Sequence, residues 1–400
     1  MMIKKIATTW LLGLLLAGGV AFAEGEEAQV APMVGHIMQP EEREPSEELM
    51  QSLQLPEGFE ITIFAEGLGN PRKLAIAEDG TVYVTRRSEG DVLMLRDSNG
   101  DGRADEQETV ASGIDHINGI IIHEGQLYLG PPTEILVADI AEDGTVSEPR
   151  VFVDGLPDGG QHPNRTLAFG PDGMFYVSVG SSCNACDESN PEHATMLRFE
   201  ADGSGRTVFA EGLRNTIGFG WHPETGEFWG MDHGSDWRGD DQPPEEFNRL
   251  EQGEHYGWPF CFADQQVDIY LPADPEDSSK EEFCPTTAPP VLTYQAHSSP
   301  LALVFYTGEQ FPEEYRGDAF VTMRGSWNRL PAVGYKVVRI RFEDGQPAEF
   351  EDFVSGFLIE DGLAQFGRPT GMAQAPDGSL FFTDDTGGVI YRVAYIGNTQ

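Results

Sequence analysis

The chain repeats a unit in which an apolar run meets a tight turn and then a second apolar run with an aromatic residue near its start. Apolar and polar side chains alternate within the runs, which is the period of a half-buried β-strand. The turns carry Asp-Gly or an equivalent pair, which favours a β-hairpin. The six copies begin at Leu74, Gly119, Leu167, Gly218, Leu301 and Gly371.

Six units at the spacing of propeller blades, without long helical periodicity, predict an all-β chain folded as a six-bladed β-propeller. The fourth and fifth units contain additional loop. Because propeller strands pair around a closed ring, we expect the early strand from Phe59 to complete the last blade beside VIYRVAY, residues 389–395. Residues 51–400 need no further boundary and are predicted to form one propeller domain.

The first 50 residues do not follow the repeat. Residues 1–23 contain Lys4 and Lys5, then an apolar run at 10–17, then Ala-Phe-Ala, which is the order of a secretory signal peptide. We predict cleavage, a periplasmic or secreted mature protein and no membrane span, with retention of the segment as an anchor as the alternative. Residues 24–50 are rich in Glu and Pro and are predicted to be a flexible acidic leader.

The formal net charge of −42 describes a strongly acidic surface. Such a surface repels nucleic acid and anionic membranes, so we predict no nucleic-acid partner. Solubility or salt adaptation explains the charge more simply than function does. An anionic ligand would need several arginines inside this negative shell.

The four cysteines form two close pairs, Cys183 with Cys186 and Cys261 with Cys284. In an oxidising compartment this arrangement predicts two disulfides. Attachment of a c-type haem is excluded because Asp187, not histidine, follows Cys186. Zinc is the weaker alternative, since no histidines at zinc-finger spacing accompany the pairs.

An acidic loop, DSNGDGRADEQE at 97–108, has the spacing of an EF-hand calcium loop, with Gly102 at the turn position. We predict a structural calcium clip on a blade hairpin, with an empty Asp-Gly loop as the alternative. The expected ligands are Asp97, Asn99, Asp101, the carbonyl of Arg103, Asp105 and Glu108.

His162 is the first candidate for catalysis. It lies in a polar loop just before a predicted strand, with Arg165 and an Asp-Gly turn close behind. A loop that leads into a rigid strand is a suitable place for a catalytic base. The alternative is a histidine that only caps the loop.

Four further segments carry a resemblance to a known family: GLRNTIGFGW from Gly212, MDHGSDWRGDDQPPEEFNRL from Met231, HYGWPFC from His255 and GRPTGMAQAPDGSLFFTDDTGGVIYRV from Gly367. In this order they resemble the soluble pyrroloquinoline quinone (PQQ) dependent sugar dehydrogenases. The GSSCNAC stretch is similar to the sorbosone dehydrogenase-like branch. The resemblance extends over most of the chain, from Leu55 to Tyr395.

The resemblance implies catalytic roles at the matching positions. His162 resembles the family's general base, which takes the proton of the sugar hydroxyl while hydride moves to C5 of the quinone. Arg214 and Asn215 resemble a pair that lies against the quinone, where the guanidinium stabilises the developing oxyanion. The alternative for Arg214 is an ordinary surface arginine.

The resemblance also implies cations at the carboxylates of the cofactor. Arg324 and Arg368 resemble the family's basic residues at this place. Arg324 stands where glucose-oxidising members have lysine, and Thr370 stands where they have a second arginine. We therefore expect weaker carboxylate binding, or binding shared with Arg329 or Arg165.

Calcium is the second cofactor that the resemblance implies. Gly234 and Ser235 match two consecutive residues whose backbone carbonyls hold the ion beside PQQ, although serine replaces the family's proline. Asp232 and His233 are expected to line the same pocket or to brace the turn.

The resemblance defines the substrate pocket less well. Ser181 replaces the aspartate of the glucose enzymes near the catalytic histidine, so Asp115 and His116 are expected to orient His162 instead. Tyr294 and His297 are expected to border the sugar, with buried packing as an equal alternative. Three aromatic loop residues are expected either to stack on a sugar or to anchor their loops: Trp237, Trp258 and Trp327.

The sequence thus predicts an exported PQQ- and calcium-dependent dehydrogenase that oxidises an aldose or sugar aldehyde, sorbosone-like or glucose-like, to a lactone or acid. A separate periplasmic acceptor, such as a cytochrome or a quinone, is expected to take the electrons. Two other functions stay open: a lactonase-type propeller hydrolase with a metal held by side chains, and a non-catalytic sugar-binding propeller.

Overall fold

The computed structural model describes residues 33–158 and 160–397. The predicted signal peptide, 1–23, and the first part of the predicted leader, 24–32, lie outside the described residues. Regular structure in the described part of the chain is nearly all β. Among the helices described, none has the length and apolar character needed to cross a bilayer.

The strands, in chain order, are β1 (Glu41–Glu42), β2 (Phe59–Ala65), β3 (Pro71–Ile76), β4 (Val82–Arg86), β5 (Asp91–Arg96), β6 (Glu106–Ser112), β7 (Gly119–His123), β8 (Gln126–Gly130), β9 (Ile135–Asp139), β10 (Arg150–Val153), β11 (Leu167–Phe169), β12 (Phe175–Val179), β13 (Thr195–Phe199), β14 (Thr207–Glu211), β15 (Gly218–Trp221), β16 (Phe228–Asp232), β17 (Glu245–Arg249), β18 (Cys261–Phe262), β19 (Gln266–Val267), β20 (Leu292–Tyr294), β21 (Pro300–Phe305), β22 (Ala319–Met323), β23 (Lys336–Glu343), β24 (Gln346–Val354), β25 (Leu358–Ile359), β26 (Ala364–Gln365), β27 (Pro369–Gln374), β28 (Leu380–Asp384) and β29 (Val389–Tyr395). The helical segments are α1 (Glu47–Gln51), α2 (Lys280–Phe283) and the 3₁₀ turns Cys284–Thr286, Glu313–Tyr315 and Glu360–Gly362.

Six antiparallel four-stranded sheets contain most of these strands. We number them by their first strands: sheet 1 is β3–β6, sheet 2 is β7–β10, sheet 3 is β11–β14, sheet 4 is β15–β17 with β20, sheet 5 is β21–β24, and sheet 6 is β27–β29 with β2. Each of the six predicted repeats forms the first two strands of one sheet, so the hairpin predictions are confirmed.

Sheet 6 joins the two ends of the domain. β2 pairs antiparallel with β29, and Phe59 lies opposite Tyr395. The predicted pairing of the early strand with the C-terminal strand is therefore confirmed. Because the outermost strand of this sheet comes from the N-terminal side, the two chain ends are held together by strand hydrogen bonds.

Apolar clusters fill the space between neighbouring sheets, as between Tyr128 of sheet 2 and Val177 of sheet 3. A further cluster packs Phe381 of sheet 6 against Val84 of sheet 1, so the order of packing is cyclic. This is the architecture of a β-propeller. Neighbouring sheets cover both faces of the second strands. As a result β12 is buried along its whole length, whereas the alternating pattern of the sequence predicted a half-buried strand.

The two leading strands of each sheet determine where a site can form. The first strands of all six sheets line a central channel of about 300 Å³. Because first and second strands run antiparallel, residues just before a first strand and just after a second strand lie at the same edge of the sheet. Polar residues at these positions from different sheets therefore meet at one end of the channel.

Both predicted disulfides are present. Cys183–Cys186 lies in the loop between β12 and β13, and Cys261–Cys284 lies in the insertion between β17 and β20. These bonds use all four cysteine sulfurs, so the zinc alternative is wrong.

The described part of the acidic leader makes defined contacts. β1 pairs in parallel with β26, Nδ1 of His36 lies 2.6 Å from a carboxylate oxygen of Asp240, and the N–H of Met38 donates to the carbonyl of Trp327. The chain therefore already contacts the propeller domain at His36, although the domain was predicted to begin at residue 51. The domain limits at residues 23 and 50 stay predictions.

Candidate active site

A polar cavity of about 430 Å³ opens where the first strands begin and the second strands end. It brings together eight residues singled out in the sequence: His162, Arg214, Asn215, His233, Gly234, His297, Arg324 and Trp327. These residues come from sheets 3, 4 and 5, and the packing of the sheets brings them to one place.

The ring of His162 is oriented by Ser181. Nδ1 lies 3.0 Å from the carbonyl oxygen and 2.8 Å from Oγ of Ser181. The Ser181 hydroxyl donates its own proton to the carbonyl of Cys183 at 2.7 Å. Both Ser181 oxygens are thus acceptors, so we assign the proton of the neutral ring to Nδ1, which leaves the lone pair on Nε2.

His162 is held in its neutral form. Burial lowers the pKa of the imidazole well below 6.5, and the positive charge of Arg214 and the neighbouring His233 lower it further. A neutral imidazole with a lone pair on Nε2 has the form that a general base requires. Asp115 and His116, which were expected to orient the ring, are exposed and line a neighbouring pocket with Arg87. That expectation is wrong, because Ser181 is the residue that accepts the hydrogen bond from the His162 ring.

Arg214 is buried, with 3% of its side chain exposed, and is fixed by two partners. Its Nε donates to the backbone carbonyl of Asn184 at 2.9 Å, and its Nη2 donates to Oδ1 of Asn184 at 2.9 Å and to Asp236 at 3.1 Å. The backbone N–H groups of Arg214 and Asn215 donate to Asp232. Asp232 therefore braces the turn that carries both residues.

A cluster of three arginines surrounds one carboxylate in the cavity. Arg72 and Arg324 both form ion pairs with Asp385, at 2.5 and 3.0 Å, and Arg87 lines the same wall. Nε of Arg72 and Nε of Arg87 are buried and have no hydrogen-bond partner among the described residues. The cluster therefore has surplus positive charge and unused donors, which fits a ligand with several carboxylates.

Arg72, Arg87 and Asp385 were not predicted from the sequence. Each of them follows the geometric rule of the fold: Arg72 is near the start of a first strand, while Arg87 and Asp385 directly follow second strands. The same rule places Arg214 in the loop that leads into β15 and Arg324 directly after β22. A search for polar residues just before the first strand and just after the second strand of each repeat could have identified them from the sequence.

Arg368 and Thr370 do not lie in the wall of the cavity. Arg368 donates from Nε to the carbonyl of Arg324 at 3.2 Å and from Nη2 to that of Gly325 at 2.8 Å. It therefore supports the backbone that carries Arg324. Thr370 is 1% exposed, and its hydroxyl lies 2.7 Å from that of Thr383, between strands. The predicted direct contact of Thr370 with a cofactor has no support in this arrangement.

Arg165 and Arg329 were expected to share carboxylate binding, and both point elsewhere. Arg165 is fully buried and donates to the backbone carbonyls of Pro132 and Pro157. Arg329 pairs with Asp241 at 2.8 Å. Neither side chain lines the cavity, whereas Arg72 and Arg87 do.

The turn proposed for calcium lies against the cavity. Gly234 lines it, whereas Ser235 is buried behind it with 4% exposure. The carboxylate of Glu245 accepts the N–H of Gly234 at 3.1 Å and that of Ser299 at 2.9 Å. Burial raises the pKa of Glu245 to about 8. This buried carboxyl group, which was not predicted from the sequence, ties the turn to the start of sheet 5.

The predicted EF-hand-like loop connects β5 and β6, on a hairpin as expected. Its carboxylates accept the loop's own amides: Asp97 accepts the N–H groups of Gly100 and Gly102, and Asp105 accepts that of Ser98. Among the described residues, His, Cys, Asp and Glu ligand atoms gather in a group of three at Cys183, Cys186 and Glu188, not in this loop. The calcium clip stays a prediction.

Comparison with known proteins identifies the family. A family model described as TrAA12-like matches residues 53–395. The chain belongs to the TrAA12-like family. A PQQ-dependent sugar dehydrogenase of Hypocrea jecorina is 24% identical over 84% of this chain and 87% of its own length.

Two solved structures resemble the TrAA12-like chain. The calcium structure of Trichoderma reesei Carbohydrate-Active Enzymes Family AA12 has a TM-score of 0.73 and 22% identity, and the match covers 86% of this chain and 97% of the other. The holo form of the pyranose dehydrogenase PQQ domain from Coprinopsis cinerea has a TM-score of 0.71 and 21% identity, with coverages of 89% and 98%. At these identities the likeness establishes the fold.

Aromatic residues occupy the mouth of the TrAA12-like cavity. Trp327 and His297 line it, and Trp237, 48% exposed, packs edge-to-face on Trp327 with ring centroids 5.3 Å apart. Trp258 is instead buried and donates its indole N–H to Asn184. Tyr294 packs on Phe350 away from the cavity. Trp327 and Trp237 therefore suit stacking on a ligand, whereas Trp258 and Tyr294 are structural.

Gly180→Ala is expected to displace His162 of this TrAA12-like protein. A Cβ at position 180 would lie 2.5 Å from Cβ of His162 and 2.8 Å from Oδ1 of Asn215. Such overpacking typically costs about 1–3 kcal/mol of stability, and a shift of about 1 Å in a reacting group costs about 100-fold in rate. Turnover and thermal unfolding of the variant measure the two effects.

Gly220→Ala is the matched control, because an added Cβ there would come no closer than 3.6 Å to any neighbour. Its turnover should stay within about twofold of the parent, as expected for ordinary van der Waals contact. Equal turnover of Gly180→Ala and the parent would contradict the assigned position of His162.

Proposed function

We propose that this TrAA12-like protein is an exported dehydrogenase that uses PQQ and calcium to oxidise an aldose or sugar aldehyde to a lactone or acid. One observation carries the proposal: a single cavity joins a neutral histidine, a buried arginine and a cluster of guanidinium groups with surplus positive charge. The names of the relatives, a sugar dehydrogenase and a pyranose dehydrogenase domain, support it. The sorbosone-like branch is a finer part of the same proposal.

The residues of the cavity fit a cofactor with several carboxylates. Arg72, Arg87 and Arg324 would hold the carboxylates, since two of them have buried Nε donors without a partner among the described residues. Asn215 and Arg214 would lie at the redox-active side. The quinone, when bound, supplies the hydride acceptor that protein side chains lack.

His162 would take the proton of the sugar hydroxyl at Nε2. As the ring becomes positive, the Nδ1–H bond to Ser181 stabilises it, because both Ser181 oxygens are acceptors. Arg214 donates to Asn184 and Asp236 through Nε and Nη2, and its charge would stabilise the negative oxygen that develops nearby. Trp327 at the mouth would exclude water and contact the sugar.

The turn at Gly234 and Ser235 fits a hard cation. No hydrogen bond is accepted by either carbonyl oxygen within the described ranges, so both are free to act as ligands. Carbonyl oxygens are ligands that calcium prefers, and a calcium structure is known for a relative. We therefore propose calcium at this turn, next to the site of the quinone.

The finer points of architecture and location belong to the same proposal. Six sheets that pack in cyclic order, with first strands along one channel, support a six-bladed ring. Two disulfides support an oxidising compartment, and thus a secreted or periplasmic protein. The electrons would leave to a separate acceptor, such as a cytochrome or a quinone.

Cofactor titration tests the proposed function. Purified protein without cofactor is titrated with PQQ in calcium or in a calcium chelator, and then assayed with aldoses, sorbosone and lactones and an artificial electron acceptor. We expect saturable PQQ binding that weakens in chelator, and dye reduction with at least one sugar. Failure to bind PQQ would refute the proposal, and lactone hydrolysis without PQQ would establish the hydrolase alternative.

The protonation of His162 gives a separate prediction. Burial, then Arg214 and His233, depress the pKa of His162 below 6.5, so the base should stay neutral, and the base form available, at pH values well under 6.5. NMR titration of His162 in cofactor-free protein should show this low pKa. Arg214→Met should raise it, because one neighbouring positive charge is removed. An ordinary pKa in the parent protein would contradict the proposed environment.

A further inference from the structure

The small ring closed by the Cys183–Cys186 disulfide contacts both proposed catalytic groups. Cys183 and Cys186 are separated by Asn184 and Ala185, in the loop after β12. The carbonyl of Cys183 accepts the Ser181 hydroxyl that orients His162. Asn184, one residue later, accepts two hydrogen bonds from the guanidinium of Arg214. One loop thus holds the base on one side and the arginine on the other.

Asn184 is the centre of a hydrogen-bond network. Its backbone carbonyl accepts Nε of Arg214 at 2.9 Å, and also the side chains of Ser235 and Trp258 at 3.3 Å. Its side-chain Oδ1 accepts Nη2 of Arg214 at 2.9 Å and the N–H of Asp236 at 2.7 Å, and its Nδ2 donates to the carbonyl of Asp236 at 3.0 Å. Asn184 therefore ties Arg214 to the turn at residues 235–236.

We propose that Asn184 is a positioning residue for the reaction, and that the Cys183–Cys186 disulfide fixes the conformation in which Asn184 holds Arg214. The inference rests on the proposed function, because it assigns a role in the same sugar oxidation. Arg214 has no acidic partner other than Asp236 among its side-chain hydrogen bonds in the described residues. Loss of the Asn184 side chain would remove one hydrogen bond of Arg214 Nη2, whereas the bond of Arg214 Nε to the backbone carbonyl of Asn184 depends on the conformation of the loop.

The two disulfides differ in a way that permits a control. Cys183 and Cys186 are half-buried, whereas Cys261 and Cys284 are 4% and 1% exposed in an apolar cluster, against which Ala185 of the smaller ring also packs. A dithiol such as dithiothreitol donates two electrons and two protons, so the S–S bond breaks to two thiols and the reductant becomes a disulfide. The half-buried pair should react first, and reduction should lower turnover before the protein unfolds.

Asn184→Ala tests the side-chain part of the inference. We expect kcat to fall about 10- to 100-fold, by analogy with the loss of groups that orient metal ligands, while the Kd for PQQ changes less than about threefold because the arginine cluster is untouched. Asn190→Ala is the control: Asn190 is in the same loop and bonds only Glu192 and His193 within the described chain. Unchanged kcat in Asn184→Ala would overturn the role.

The double variant Cys183→Ser and Cys186→Ser tests the ring, with Cys261→Ser and Cys284→Ser as its counterpart. The first should lower kcat at least as much as Asn184→Ala, without a matching loss of melting temperature. The second should lower the melting temperature and leave kcat near the parent value. The reverse pattern would overturn the assignment, because it would make the ring a purely structural crosslink.

A readout without cofactor separates this inference from the proposed function. The Nε–H of Arg214, identified in a ¹⁵N spectrum by its loss in Arg214→Lys, should exchange slowly with solvent in the parent protein. It should exchange faster in the serine double variant and after reduction by dithiothreitol. If the protein bound no PQQ but the signal behaved this way, the proposed function would fail and the geometry would stand. Slow exchange in every variant would overturn the inference.

Discussion

Replacing His162 with glutamine is expected to lower turnover by about 100-fold or more, since general-base catalysis typically contributes about 10²–10⁴-fold. Glutamine keeps a polar side chain near Ser181 but has no nitrogen that can take a proton at neutral pH. PQQ should still bind, because the arginines that face Asp385 make no contact with His162. The measurement is steady-state turnover at saturating sugar, together with a PQQ titration of the same preparation.

The matched control for this variant is His116→Gln. His116 is exposed, and the sequence analysis had it as a partner of the base, yet Ser181 occupies that place. His116→Gln should therefore retain parental turnover. Parental turnover in His162→Gln, with PQQ bound, would show that another group accepts the proton and would contradict the mechanism.

The repeats were predictable because each first hairpin has a local signal: alternating apolar residues on both sides of an Asp-Gly or similar turn. The outer strands were harder to foresee, and β6 shows why. In β6 (Glu106–Ser112) the first four residues are all exposed and charged or polar. A strand that pairs at the rim buries little apolar surface, so its sequence carries no hydrophobic period.

The pairing of β2 with β29 was predictable for a different reason. β2 has no partner next to it in sequence, and β29, which pairs with β28 on one side, would leave its other side unpaired. An unpaired edge strand is unfavourable in a closed architecture. The small sheet of β1, β25 and β26 could not be predicted by this argument. Its two-residue strands are too short to leave a pattern, so the contacts of the acidic leader were visible only in the structure.

The site was predictable where a residue's position along the strand decides its direction. His162 and Arg214 lie in loops that lead into first strands, Arg324 directly follows β22, and all three line the cavity. Thr370 lies within β27, and there the pleat turns its side chain between strands. The sequence alone did not distinguish the residues that line the cavity from Thr370, because a shift of one residue along a strand turns the side chain to the opposite face of the sheet.

The partners of these residues come from distant parts of the chain. Asp385 pairs with Arg72, 313 residues away, and Asn184 holds Arg214 from the preceding sheet. Such pairs depend on how the sheets pack around the channel. The acidic composition gave one useful clue, because arginines gathered inside a protein of net charge −42 indicate a site for an anion.

Arg87→Met is expected to weaken PQQ binding about 10- to 100-fold, the equivalent of losing a hydrogen bond to a charged group worth about 1.5–3 kcal/mol. The guanidinium of Arg87 makes no hydrogen bond within the described part of the protein, and its Nε is buried without a partner. Burial, followed by repulsion from Arg324, lowers its pKa. The protein thus holds this cation in an unfavourable state that an anionic ligand would relieve.

Removal of this side chain should therefore leave the melting temperature of the cofactor-free protein unchanged or raise it, while the Kd for PQQ rises. The neighbouring residue gives the opposite expectation. Arg86 binds both oxygens of Asp91, at 2.8 and 2.5 Å, and does not line the cavity. Arg86→Met should lower the melting temperature, because Asp91 keeps a nearly buried carboxylate without its cation, and should leave the Kd unchanged. If Arg87→Met destabilised the protein and bound PQQ as tightly as the parent, the arginine cluster would be a structural network and the cofactor would have to bind elsewhere.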